Sequence, residues 1–150
     1  MPRLGSPLTD RQLWEVAERW AKDARVSARH GGSPEAIYLA AGLALECALK
    51  AIAMRRDGLA TFPARRDRRD FYSHDLRKLI GLAGVKADID AAKGGGVPVA
   101  DHWMIALNWR IEKRYGLGMD DDEARSMLEC VVEPHTGLFG WLASRFRTIA

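Results

Sequence analysis

Apolar residues recur along this chain at the three-to-four-residue interval of helices, and nowhere alternate over a useful length as strand residues do. The first series is Leu13, Val16, Ala17, Trp20, Ala21 and Ala24. It follows Thr9, a capping hydroxyl with Gln12 at the capping-box position, and fades near His30 before Gly31-Gly32. Ser33 and Pro34 then restart a helix, one as a cap and the other as a preset first turn, and predict a second helix over 34–56. Ile37, Leu45, Leu49 and Ile52 supply its bulk, while Ala40, Ala41, Gly42, Ala44 and Ala48 let a neighbouring helix approach closely.

Asp57-Gly58 stops that helix, and 58–72, with Pro63 and no apolar period, reads as a long exposed loop. Ser73 is read as the cap of a short third helix carrying Leu76, Leu79, Ile80 and Ala83. A break over 91–98 contains Gly94-Gly95-Gly96, a connector without the lysine and hydroxyl of a phosphate-binding loop. A fourth helix is predicted from Val99 or Ala100 to Tyr115, with Trp103, Ala106, Leu107 and Ile111 as its seam. The acidic run 120–123 favours the N-terminus of a fifth, whose inner face is Ala124, Met127, Leu128 and Val131. Pro134 either kinks this helix or separates a last segment over 138–146. The pattern predicts one all-α domain over 1–150, an antiparallel up-and-down bundle of about five helices.

Composition narrows the class. A chain of 150 residues with 47% hydrophobic residues holds enough apolar material for one core, which excludes disorder as its main state. Cys47 and Cys130 form no CxxC or CxxH pattern, so neither a disulfide scaffold nor a zinc-ligand set is expected, and no metal or cofactor is assigned. Free cysteines, and opening residues that carry Arg3, Asp10 and Glu15 without an apolar leader, point to a reducing, cytoplasmic compartment. The most membrane-like stretch, 36–54, contains Glu46 and Lys50 and is read as a buried bundle helix, so no membrane association is expected.

The formal charge of +3 is unevenly placed. Six arginines against three aspartates lie between Arg55 and Asp70, and the rest of the chain balances at 17 against 17. The excess therefore marks one loop and not a basic body. Arg65, Arg66, Arg68 and Arg69 can follow a phosphate backbone, and Phe62, Phe71 and Tyr72 can stack on unpaired bases. The same loop also reads as a solvated segment or as a docking surface for an acidic protein. Trp14, Trp20, Trp103, Trp109 and Trp141 read as core or interface residues.

The run Tyr38-Leu39-Ala40-Ala41-Gly42-Leu43-Ala44-Leu45-Glu46-Cys47-Ala48-Leu49-Lys50-Ala51 resembles the second helix of the HEPN superfamily, the higher-eukaryote and prokaryote nucleotide-binding domains. His74-Asp75-Leu76 followed by Leu79 resembles the motif that opens that family's third helix, and Trp109 with Arg114-Tyr115 resembles its fourth-helix ending. The resemblance covers roughly 13–132. It implies a homodimeric helical bundle of a kind found as ribonuclease toxins, as partners of nucleotidyltransferases, and as accessory domains of defence systems. The family's nucleases carry an Arg-x(4–6)-His motif, paired across two subunits to cleave RNA without metal, late in the bundle.

That spacing occurs here at Arg69–His74 and Arg25–His30, both early. Upstream of His102 the corresponding positions are Gly95, Gly96 and Val97, and upstream of His135 they are Leu128, Glu129 and Cys130. Of the early pairs, Arg69 and His74 form the chemically reasonable catalytic candidate. An imidazole can take a proton from a ribose hydroxyl, and a guanidinium can hold the scissile phosphate. Asp70 is expected beside Arg69, with Ser73 and Tyr72 able to position a phosphate; His74 alternatively serves as an ordinary helix-start residue. Glu46 and Lys50, four apart in the favourable order, are expected to pair, either inside the bundle, at a dimer interface or toward a ligand. Ser27, Tyr38 and Arg114 are candidate members of the same network.

The leading functional expectation is a noncatalytic nucleotide- or RNA-associated accessory module, homodimeric, working beside a nucleotidyltransferase-type or antitoxin partner. Arg65, Arg66, Arg68, Tyr72, Glu46 and Lys50 are its candidate binding residues. The alternatives are a metal-independent endoribonuclease of a toxin–antitoxin or defence system using Arg69 and His74, and a helical module that docks a protein alone.

Overall fold

Thr9 and Ser33 start the two longest helices, as their sequence context predicts. In the computed structural model, which describes residues 6–93 and 98–149, α1 (Asp10–Arg29) opens with a full capping box. Thr9 Oγ1 accepts the Gln12 N–H, and Gln12 Oε1 accepts the Thr9 N–H. Gly31, at φ 75°, makes the tight turn into α2 (Pro34–Arg56), where Ser33 Oγ accepts the Ala36 N–H. The two helices pack together as a hairpin, and α2 also packs against three of the later helices.

Fifteen of the 23 residues of α2 are buried, on all of its faces. It is therefore buried all round, as a central helix must be, and not amphipathic like α1. By length and composition it is apolar enough to cross a membrane, yet 83% of its most apolar stretch is buried inside the bundle.

Around it stand α3 (Leu76–Ala83), α4 (Lys86–Ala92), α5 (Pro98–Ala106), α6 (Asp121–Val132) and α7 (Leu138–Thr148). The described residues thus form an all-α bundle of seven helices without strands, where about five were expected. Two local causes account for the difference. Gly84, at φ 73°, closes α3, with the Val85 N–H bonded back to the Ile80 carbonyl, and α4 starts immediately after. Pro134 separates α6 from α7 and does not kink one helix. The Glu133 carboxylate gathers the backbone N–H groups of His135 and Thr136 and the Thr136 hydroxyl, fixing the turn.

A further departure from expectation is tertiary. The predicted fourth helix stops at Ala106, not Tyr115, and the chain resumes only as a 3-10 turn over Ile111–Tyr115. Between them Trp109 leaves the helix to lie against Gly42 of α2. A methyl group on Gly42 would come within 1.9 Å of the indole. The indole N–H donates to the Tyr38 carbonyl at 3.1 Å, and the Arg110 N–H donates to the Tyr38 hydroxyl at 3.0 Å. The small residue at 42 thus admits an aromatic ring and not a helix.

The loop after α2 is held more firmly than expected. Phe71 is fully buried within a 3-10 turn, Arg69–Tyr72. Phe62 meets Phe71 and Tyr72 edge-on, and its N–H bonds the Leu8 carbonyl at 2.7 Å. The cap of α3 is Asp75, whose Oδ1 accepts the Arg77 N–H, and not Ser73, whose hydroxyl accepts the Asp75 N–H one step earlier. The glycine connector 94–96 lies outside the described residues.

Candidate functional site

Helical spacing puts Glu46 and Lys50 on one face of α2, one turn apart. Burial of α2 then takes both charges out of water, leaving Glu46 5% and Lys50 7% exposed. Lys50 Nζ donates to Glu46 Oε2 at 3.1 Å. The other carboxylate oxygen, Oε1, lies 2.8 Å from Nδ1 of His74, which arrives from the loop ahead of α3. An ionised carboxylate, as in the Lys50 pair, only accepts hydrogen bonds, so this contact puts the proton on Nδ1 and leaves Nε2 as the free acceptor of the neutral ring. The imidazole itself is half exposed.

The result is a three-residue polar network, Lys50–Glu46–His74, whose inner part is buried. Cys47 follows Glu46 in the chain, and its thiol pKa is pushed up to about 12 by burial and by the adjacent Glu46 charge. Cys130 is likewise raised, to about 11, by burial and Glu129. Both are thiols at neutral pH, not nucleophiles.

His74 lines a polar cleft of about 550 Å³ together with Ser73, Arg77, Asn108 and Arg110. Arg77 donates to the Asn108 side-chain carbonyl at 3.3 Å. Arg77, Asn108 and Arg110 were not legible as site residues. Arg77 comes from α3, just after His74, whereas Asn108 and Arg110 come from the segment after α5, which the docking of Trp109 on α2 holds in place.

The arginine-rich loop divides into one structural residue and three displayed ones. Arg68 bonds both Asp57 and Asp70 at 3.0 Å and stands 4.7 Å over the Phe71 ring. Those bonds, Asp70 first, raise the Arg68 pKa, and the same partner lowers that of Asp70. Asp70 therefore serves Arg68, not Arg69 as expected. Arg65 reaches over the Tyr72 ring at 5.9 Å, and the Tyr72 hydroxyl donates to the Pro63 carbonyl at 2.7 Å. Arg66 is exposed, with Asp67 at 3.9 Å, and Arg69 is exposed as well.

Of the sequence candidates, Glu46, Lys50 and His74 converge, whereas no hydrogen bond joins Arg69 to His74. Phe71 is buried and out of reach of a base, and Phe62 is only partly accessible. Neither Ser27, Tyr38 nor Arg114 bonds the Glu46–Lys50 pair. Tyr38 holds Trp109 and Arg110, and Arg114 stands 4.8 Å from the Tyr115 ring. Arg25, of the other spaced pair, donates to the Val132 carbonyl, while His30 ends α1. The acidic run caps α6 through Asp120, whose carboxylate accepts the Asp122 N–H. Trp14, Trp103 and Trp109 are core residues, Trp14 stacking on Phe139 and Phe146.

Comparison of the chain with models of protein families, with curated proteins and with solved structures finds no match.

Proposed function

We propose that this chain is a noncatalytic, HEPN-like accessory module that binds single-stranded RNA or nucleotides through its arginine-rich loop. In this reading it acts in the cytoplasm as a homodimer beside a partner of the nucleotidyltransferase or antitoxin type. The observation that carries the reading is the division of labour in the loop. Arg68 is consumed by Asp57, Asp70 and Phe71 and anchors the segment, while Arg65, Arg66 and Arg69 project from it. An anchored loop loses little conformational entropy on meeting a ligand, and guanidiniums match phosphate oxygens in a fork.

Fluorescence anisotropy with a labelled single-stranded RNA of about 16 nucleotides, a length within the range of single-strand sites, tests this. The wild-type protein is expected to bind at low salt and leave the RNA intact, and Arg65→Ala/Arg66→Ala/Arg69→Ala is expected to bind much more weakly. Equal binding by the triple variant, or rapid cleavage by the pure protein, would overturn the reading.

One observation favours a second reading, a metal-independent ribonuclease. A buried carboxylate holds Nδ1 of His74, and the ring lines a polar cleft, an arrangement that suits a general base. This reading predicts RNA cleavage that persists in EDTA and disappears in both His74→Ala and Arg69→Ala while each variant stays folded. Cleavage unaffected by either change would remove the assignment.

A further inference from the structure

The Glu46–Lys50 pair also forms part of a second cavity, of about 460 Å³, which His74 does not line. Its walls include Leu8 and Leu13 from the start of the chain and Phe62 and Tyr72 from the arginine-rich loop. A cavity of this size, mostly apolar and with a few placed polar groups, has the make-up of a small-molecule site.

The polar groups in it have unused capacity. An ammonium has three N–H donors, and among the described residues Lys50 Nζ has one partner, Glu46 Oε2. Each Glu46 oxygen makes one hydrogen bond and retains a second lone pair. The charge of the occupant follows from the closeness of the pair. An anion drawn to Lys50 also meets the Glu46 carboxylate, 3.1 Å from the ammonium nitrogen, and repulsion cancels most of the attraction. A cation drawn to Glu46 meets Lys50 in the same way. A neutral group with an acceptor next to a donor satisfies both partners without bringing a further charge out of water. The apolar walls, with the rings of Phe62 and Tyr72 among them, suit a flat body behind that edge.

We propose that this cavity binds a planar ring carrying an amide-type edge, its acceptor meeting Lys50 Nζ and its donor meeting the Glu46 carboxylate. Such an edge belongs to an unpaired nucleobase and also to a free aromatic amide. The first source rests on the RNA reading above, and there Arg65, over the Tyr72 ring that lines the cavity, would take the adjoining phosphate. The second source does not depend on that reading.

The test is an amide-resolved NMR titration of the full chain with benzamide, benzoate and cytidine. Benzamide and cytidine should shift the signals of Lys50, Phe62 and Tyr72, and benzoate, with the same ring but no donor and a negative charge, should bind at least about tenfold more weakly, the effect of one unmade charged hydrogen bond. Ala64, which is exposed and lines the cavity, offers a variant that leaves the buried pair alone. Ala64→Trp should lower benzamide affinity about tenfold or more by filling the space. Benzoate binding as tightly as benzamide, binding unchanged in Ala64→Trp, or no shift at these residues with any ring would overturn the proposal.

RNA carrying a single abasic nucleotide separates the two sources. Weaker binding than the intact strand, with the difference lost in Ala64→Trp, supports a base in the cavity. Equal binding of both strands, with benzamide binding retained, supports the free ring compound. Failure of the arginine-loop reading shows separately, as loss of all RNA binding with benzamide binding intact.

Discussion

Glu46 answers to two partners at once, and its removal should cost more than any surface ion pair. An exposed helical pair contributes about 0.3–0.5 kcal/mol, but here Lys50 would be left buried without a counter-charge. Glu46→Ala is therefore expected to destabilise the fold by about 3–5 kcal/mol, the usual penalty for breaking a buried pair from one side. Glu46→Leu with Lys50→Met, which removes both charges at similar volume, should come close to wild-type stability. Urea unfolding of the two variants measures the contrast, and equal losses would show that the pair is not desolvated as the structure has it. Gly42 makes a second demand at this scale, because Trp109 occupies the space of its missing side chain. Gly42→Ala should lower stability by about 1–3 kcal/mol, the cost of overpacking a filled core, although alanine is the better helix former. A thermal melt that rose with this substitution would contradict the packing. The spacing of Glu46 and Lys50 was readable in the sequence. Their third partner was not, because His74 lies 28 positions away and only the docking of the loop brings it in.

Elements with local start and stop signals were legible, and those shaped by distant contacts were not. The capping box at Thr9 and the Ser33-Pro34 start are local signals that set the beginnings of α1 and α2. The end of α5 depends instead on Gly42 and Tyr38, more than sixty residues upstream, which draw Trp109 and Arg110 out of helical register. Phe71 looked like a loop aromatic because nothing in its neighbours announces that the bundle closes over it. Between elements, Arg55 is the main polar staple. Its guanidinium bonds Asp10 of α1 at 2.7 Å and the Phe146 carbonyl of α7 at 2.8 Å, and lies 3.5 Å from the Phe146 ring. Burial raises the Asp10 pKa, but the Arg55 bond, the Arg11 N–H and their charges together leave it lowered. A carboxyl whose folded value lies below its unfolded value of about 3.9 stabilises the fold fully above that value. The contribution is lost as pH falls through the lower, folded value. Stability measured by denaturant between pH 6 and pH 2 should therefore drop on the acid side, and Asp10→Asn should lose part of that drop while being less stable at pH 6. An acid limb unchanged in Asp10→Asn would assign it to other carboxylates.

At the scale of the whole molecule, the described residues form an all-α bundle and the sequence has one concentration of positive charge, and both properties could be read from the pattern of residues. Which arginines are free to act could not, since the choice of Arg68 as anchor depends on Asp57, 11 residues upstream, reaching it together with Asp70. If the HEPN-like reading holds, light scattering should give a particle of about twice the 16.7 kDa chain, and a monomer across micromolar concentrations would count against it. The central claim is that Arg65, Arg66 and Arg69 neutralise phosphates together, and the salt dependence of single-stranded RNA binding tests it most directly. Each phosphate contact contributes about 0.7 to the slope of log K against log salt on a single strand. The wild-type slope should therefore exceed that of Arg65→Ala/Arg66→Ala/Arg69→Ala by about 2, and identical slopes for the two proteins would contradict the account.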